Sequence, residues 1–128
     1  MAFVNFYYEL DVYVISRKLA SEVYRISKLF PAEERYSLTD QIRRSSRSIG
    51  AQIAESWAKR RYENHFISKL TDADAEQNET KHWIEVAFDC DLVSKSDLDS
   101  VIQNCDLINQ KLNSMISKAS LFCAPIKK

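Results

Sequence analysis

The chain has 128 residues, of which 45% are hydrophobic, and 18 basic side chains balance 18 acidic ones to give a formal net charge of zero. One glycine and two prolines are too few for the turns of an all-β sandwich or barrel, and they exclude a glycine-rich phosphate-binding loop. The composition predicts one helical domain over residues 1–128. Because the net charge is zero, any attraction of nucleic acid must come from local clusters of basic residues.

The first predicted helix spans residues 9–30. Pro31 lacks the amide hydrogen that a helix interior needs and disfavours helical geometry at Phe30, so the helix is predicted to end there. Apolar side chains recur at steps of three and four residues, which is the spacing of one helical face, at Val12, Ile15, Leu19, Val23, Ile26 and Phe30.

The second predicted helix spans residues 38–59. Ser37 or Thr39 is a candidate cap for its first amide groups. Small residues interrupt its apolar stripe, and they predict close approach of a neighbouring helix at Ser45, Ser46 and Gly50.

Two more helices are predicted at residues 62–92 and 96–119, with candidate caps in the turn 94–97. The stretch 72–82 of the third helix is unusually polar, so it either faces water or makes polar contacts inside an assembly. Four long helices with short connections predict an all-α, antiparallel up-down-up-down four-helix bundle, and residues 120–128 are predicted to form a frayed tail.

Basic residues cluster on the second helix, where six of them lie between positions 41 and 61 against one acidic residue, Glu55. Arg43, Arg44 and Arg47 fall on one helical face, which predicts a strip that contacts phosphates. The alternative is a solvated face, or a face packed against the acidic third helix of the same or another subunit. The other three basic residues, which also suit the negative end of the helix dipole, are Lys59, Arg60 and Arg61.

Catalytic and metal sites are not predicted. Glu79 and His82 have the Glu-x-x-His spacing of di-iron bundles, but a second pair is missing because Tyr62 lies three residues before His65. No nucleophile is placed beside a base in a recognisable motif. We therefore expect a protein without enzymatic activity, metal or cofactor, in which His82 is a surface or subunit-contact residue.

The aromatic residues exceed what a small bundle readily buries. Trp57 and Phe88 are predicted to lie in the core. Five other aromatic residues are predicted to contact a neighbouring subunit, since they would otherwise be exposed, and these are Phe3, Phe6, Tyr7, Tyr8 and Trp83.

The cysteines and the apolar segments bear on the cellular compartment. Cys90, Cys105 and Cys123 are unequally spaced and form no Cys-x-x-Cys motif, which argues against disulfides or a thiolate metal site. No stretch approaches the roughly 18 apolar residues of a membrane span, and no secretory leader is evident at the start of the sequence. These features predict a cytoplasmic protein without a membrane partner.

Residues 30–44, FPAEERYSLTDQIRR, carry a resemblance to a known family. Together with five shorter segments they resemble the 23S rRNA intervening-sequence proteins, which are related to the accessory protein of diversity-generating retroelements. The chain departs from the family pattern at Ser56-Trp57, where a glycine usually follows Ile-Ala-Glu. The shorter segments are Ser48-Ile49, Ile53-Ala54-Glu55, Ala75-Glu76, Glu79-Thr80 and Trp83-Ile84.

The resemblance implies an antiparallel four-helix bundle that assembles into a ring-like homopentamer, is encoded in bacterial rRNA insertions or retroelement loci, and has no known catalytic residues. For the retroelement relatives it implies binding to reverse transcriptase and nucleic acid through basic surface, which carries over to Arg43, Arg44 and Arg47. The first hypothesis is therefore an oligomeric bundle that binds RNA or a nucleic-acid-processing protein. The alternative is a protein-binding scaffold whose charged faces serve only subunit assembly.

Overall fold

The computed structural model describes residues 4–123, and every regular element in that part of the chain is helical. Helix α1 packs against α2 and α4, and α3 packs against the same two helices. Short connections make successive helices antiparallel, which confirms the predicted four-helix bundle. No helix in this part combines the length and apolar character needed to cross a bilayer. The helices are α1 (Asp11–Ser27), α2 (Leu38–Ala58), α3 (Glu63–Asp89), α4 (Lys95–Ser117) and the one-turn α5 (Ala119–Phe122).

The apolar stripes of the four long helices form one core. Trp57 is buried in it as predicted, whereas the prediction for Phe88 is wrong, because this side chain is 37% exposed. Ala87 faces the core, and the next residue on a helix points about 100° away from it. The largest fully buried side chains of the core include Leu19, Ile42, Ile49, Phe66, Leu70, Ile108 and Leu112.

Helix α1 ends at Ser27, three residues before the predicted end. The amides of Leu29 and Phe30 donate hydrogen bonds to carbonyl oxygens three residues back, both at 3.1 Å, so the chain tightens into successive turns. These turns place the Phe30 side chain in the core. Proline therefore limits the helix as expected, and burial of Phe30 determines how the chain leaves it.

Helix α3 ends at Asp89, also three residues earlier than predicted. Asp91 has a φ of 60°, in the left-handed region, and the Leu92 amide donates to the Ala87 carbonyl at 2.9 Å. This is the hydrogen bond of a helix-terminating Schellman turn. Aspartate is among the few residues that adopt this conformation readily, but nothing in the periodicity indicates it.

The helix caps agree with the sequence at one of two places. Ser94 caps α4 by accepting a hydrogen bond from the Asp97 amide at 3.0 Å, in the turn where caps were predicted. At α2 neither Ser37 nor Thr39 caps through its side chain. Instead the Glu34 carboxylate accepts a hydrogen bond from the Ser37 hydroxyl at 2.7 Å and lies 3.4 Å from the Leu38 amide.

The segment after α4 differs from the predicted frayed tail. Residues up to Phe122 form α5, and the Phe122 ring lies 6.0 Å from the Phe66 ring and 6.3 Å from the Trp57 ring between centroids. Aromatic contact with the bundle therefore holds this turn in place. The remainder of the predicted tail, residues 124–128, lies outside the described residues.

The polar middle of α3 makes contacts within the chain. Thr80 is buried and its hydroxyl is 2.9 Å from the Ser45 hydroxyl of α2. Gln77 is also buried and donates to an Asp74 oxygen at 2.9 Å, which in turn accepts from Asn109 of α4 at 2.8 Å. Polar pairing between helices therefore explains this stretch, in addition to exposure to water.

The three thiols differ in exposure, and this gives a first prediction. Cys90 is exposed, whereas Cys105 is buried and burial raises the pKa of its thiol to about 12. Because only the thiolate reacts with disulfide reagents, native protein at about pH 8 should be labelled rapidly at Cys90 and not at Cys105. Peptide mass spectrometry after labelling with and without denaturant measures this. Equal labelling rates in the native protein would contradict the described core.

Candidate nucleic-acid interface

Helices α1 and α2 approach each other closely at Gly50. A Cβ atom added there would lie 3.2 Å from the Ser16 hydroxyl oxygen and 3.5 Å from the Tyr13 ring. Glycine therefore allows the two helices to pack at this point, as the small residues of the second helix predicted. Small side chains on both helices leave a groove above the contact.

Arg43 and Arg47 lie at the boundary between α1 and α2. Their guanidinium carbons are 4.7 Å and 5.6 Å from the centre of the Tyr24 ring, and the Arg43 Nε donates to the Ser27 hydroxyl at 2.7 Å. Cation–π contact and the hydrogen bond hold both positive charges on the α1 side of α2. Within residues 4–123, no carboxylate lies within 4.0 Å of either guanidinium.

Arg44 points toward α3 instead. Its Nη2 donates to the Gln41 amide oxygen at 2.7 Å and lies 3.8 Å from a carboxylate oxygen of Glu79. An exposed ion pair at this separation contributes little to stability. The three arginines that the sequence placed on one face therefore point in two directions. Arg44 reaches the acidic third helix, whereas Arg43 and Arg47 lie on the α1 side.

Two adjoining hollows on this side of the bundle contain arginine side chains in their lining. The α1–α2 groove has a volume of about 500 Å³ and is lined by Arg17 and Arg47, with no acidic residue. The second hollow, of about 450 Å³, is lined by four arginines and by Asp40. We call the five arginines of the two hollows the basic α1–α2 face, and they are Arg17, Arg35, Arg43, Arg44 and Arg47.

The contribution of α1 to this face was missed in the sequence. Arg17 donates to the Tyr13 hydroxyl at 2.9 Å, one helical turn away, and Tyr24 supports the two arginines of α2. A tyrosine and an arginine four residues apart on the first helix were the available signal. Their approach to α2 depends on how the helices are rotated, which the spacing within one helix does not specify.

The other predicted basic residues lie at the opposite end of α2, roughly 25 Å away at a rise of 1.5 Å per residue. Arg60 stacks on Trp57, with its guanidinium carbon 3.7 Å from the ring centre, and its Nε donates to the Trp57 carbonyl at 2.9 Å. Burial lowers the pKa of the Arg60 guanidinium. Arg60 thus caps the end of α2, while Lys59 and Arg61 are exposed beside it.

The predicted subunit-contact aromatics occupy different environments. Phe6 and Tyr8 stack at 5.2 Å between ring centroids and remain 53% and 54% exposed, whereas Tyr7 packs edge-on against Tyr13 at 5.0 Å. Trp83 is half-buried. Phe3 lies outside the described residues.

Glu79 and His82 are used differently by the fold. The Glu79 carboxylate accepts a hydrogen bond from the Trp83 indole at 3.2 Å and lies beside Arg44, while the exposed His82 ring is 4.7 Å from the Trp83 ring. Among the residues that the structure describes, no three or more His, Cys, Asp or Glu side chains gather in an arrangement that could hold a metal ion.

The chain is similar to one protein family and to solved structures. The family model described as 23S rRNA-intervening sequence protein matches residues 8–114. A crystal structure of a protein of unknown function from the S23 ribosomal protein family of Bacteroides thetaiotaomicron is 30% identical, with a TM-score of 0.74, and the match covers 82% of this chain and 97% of that one. No curated protein matches the sequence.

Proposed function

Because this chain belongs to the 23S rRNA-intervening sequence protein family, we propose that it is a non-enzymatic, oligomeric helical bundle that binds RNA through the basic α1–α2 face. The observation that carries this proposal is the placement of Arg43 and Arg47 over Tyr24, away from the acidic third helix. Arginines oriented in this way can contact phosphate oxygens without first breaking an ion pair, at little cost in side-chain entropy.

The local charge supports a phosphate ligand although the whole chain is neutral. The two adjoining hollows bring together five arginines and one acidic residue, Asp40. Because salt screens charges over about 10 Å, a ligand at this face is attracted mainly by Arg17, Arg35, Arg43 and Arg47, since Arg44 lies 3.8 Å from a carboxylate oxygen of Glu79 on α3. Each phosphate that an arginine neutralises also releases counterions from the nucleic acid.

RNA binding is tested by fluorescence anisotropy with a labelled, structured RNA at salt concentrations between about 50 and 200 mM. The proposal expects binding whose logarithmic association constant falls linearly with the logarithm of salt concentration. A duplex DNA of the same length shows whether the RNA 2′-hydroxyls contribute. Absence of binding at the lowest salt would rule out this function.

Assembly is the second part of the proposal, and it gives a further prediction. Phe6 and Tyr8 present a stacked, half-exposed aromatic surface of the kind enriched in subunit contacts. We expect light scattering to give a mass of about 75 kDa, for five chains of 14.9 kDa, and replacing both residues with serine should lower it. Tyr36→Ser, which alters another exposed aromatic residue, is the control. A monomeric wild type would contradict assembly.

A second candidate function is a scaffold without RNA binding. The contact between Arg44 and Glu79 favours it, since it shows that basic and acidic helices of this protein do approach each other. An exposed hollow on α4 is lined by Asp99, Asp106 and Leu107, and under this alternative its two carboxylates exchange their partners Lys95 and Lys81 for arginines of another copy. Under this alternative, replacing the arginines disrupts the oligomer, and the intact protein does not bind RNA.

A further inference from the structure

We propose that the α1–α2 groove holds a single RNA strand, so that the basic α1–α2 face prefers unpaired RNA to a duplex. The inference rests on the proposed function and specifies its substrate class. It depends on three features of the groove: its volume, the charge of its walls and the aromatic side chains that line it.

The groove is open because its lining side chains are small. Ala20 and Ser21 of α1 face Ala51 and Ala54 of α2 across it, and Gly50 lies at the point of closest helix approach. A volume of about 500 Å³ is within the range of small-ligand sites. A base of an unpaired strand can enter such a groove, whereas a duplex keeps its bases inside and reaches only the rim.

Both walls of the groove, formed by α1 and α2, carry a positively charged side chain. Arg17 projects from α1 and is held by the Tyr13 hydroxyl, while Arg47 projects from α2 and lies over the Tyr24 ring. No acidic residue lines the groove. A polyanion lying between the helices would therefore meet an arginine on either side, and charge complementarity favours a nucleic acid strand over an apolar peptide.

The aromatic lining distinguishes a base-containing ligand from an anion alone. Tyr13 and Tyr24 both line the groove next to the arginines, and the Tyr24 side chain is 41% exposed. Proteins that bind single strands combine a positively charged groove with aromatic side chains on which bases stack. The Tyr24 ring already carries Lys28, Arg43 and Arg47 within 5.6 Å of its centre, so a base that enters the groove stacks on an arginine guanidinium or takes the place of one of these cations over the ring.

The test uses groove-filling variants that keep every charge. Ala51→Leu on α2 and Ser21→Leu on α1 alter exposed lining positions, so each should fold, and Ala75→Leu on the exposed face of α3 is the matched control. An unpaired RNA of about 12 nucleotides, and the same RNA annealed to its complement, are titrated by anisotropy. Circular dichroism melting and light scattering check fold and assembly.

We expect wild type to bind the single strand more tightly than the duplex. Each groove variant should weaken single-strand binding about tenfold, as for loss of one stacked base, without changing the salt dependence. Ala75→Leu should have no effect. Equal affinity of the wild type for both RNAs, or unchanged single-strand binding by both groove variants, would overturn the inference. A change of oligomer mass in both groove variants would also overturn it, because the groove would then be a subunit contact. RNA binding that survives groove filling leaves the proposed function intact, whereas absence of all RNA binding removes both.

Discussion

Replacing Arg43 and Arg47 together with glutamine should weaken RNA binding by between about ten- and a hundredfold at moderate salt. Each arginine that contacts a phosphate of a single strand contributes about 0.7 to the slope of log affinity against log salt, so the slope should fall by about 1.4. Anisotropy titrations at several salt concentrations measure both quantities. Glutamine keeps much of the side-chain length and hydrogen-bonding capacity, so the change is mainly one of charge.

The matched control for that variant is the double replacement of Lys59 and Arg61 with glutamine. It removes the same two charges from exposed positions at the far end of α2 and leaves Arg60 on Trp57 undisturbed. If the basic α1–α2 face is the binding site, this control should retain most of the affinity. Equal losses in the two double variants would mean that general positive charge, and not this face, attracts the RNA.

The same variants separate RNA binding from the scaffold alternative. Arg43 and Arg47 contact Tyr24 and Ser27 of their own chain, so their loss should leave the oligomer mass unchanged under the RNA-binding proposal. Arg44→Gln removes the charge beside Glu79 and serves as a separate measure of that contact. Dissociation of the oligomer by these variants, together with absence of RNA binding by the wild type, would favour the scaffold.

The family-like run at residues 30–44 has a structural role besides the binding role that we propose for Arg43. Phe30 is buried, and the Glu34 carboxylate, not the side chain of Ser37 or Thr39, accepts the hydrogen bond of the first α2 amide, that of Leu38. Arg43 at its end joins α2 to α1 through Ser27 and Tyr24. Similarity in this run therefore indicates how the first two helices are connected and packed.

Helical periodicity predicted the bundle because burial of one face is a property of each helix by itself. Periodicity also placed three arginines within one turn and a half of α2, although Arg44 reaches Glu79 of α3 and only Arg43 and Arg47 lie over Tyr24. What periodicity could not supply was the rotation of α1 against α2, which brings Arg17 and Tyr24 of α1 to the groove that Arg47 of α2 also lines. Nor could it supply the exposure of Phe88, which lies just beyond the edge of the buried face.

Helical periodicity also failed to indicate the contact of the C-terminal turn α5 with the core. The prediction with the largest effect on stability concerns this contact. Phe66 is fully buried and contacts the ring of Phe122 on α5. Phe66→Ala should lower the free energy of unfolding by about 3–5 kcal/mol, through lost burial and the cavity that remains. Phe122 is only partly buried, so Phe122→Ala should cost less, about 1–2 kcal/mol. Denaturant unfolding at fixed protein concentration measures both, since assembly would make stability concentration-dependent.

The double variant and one control decide whether α5 belongs to the cooperative core. Because the two rings touch, the double variant should lose less free energy of unfolding than the sum of the losses in the two single variants. Leu121, on the same turn, is exposed, so Leu121→Ala should change stability by less than about 0.5 kcal/mol. If Phe122→Ala lowered the free energy of unfolding no more than Leu121→Ala does, α5 would not be part of the core. The chain would then be frayed from residue 120, as the sequence predicts.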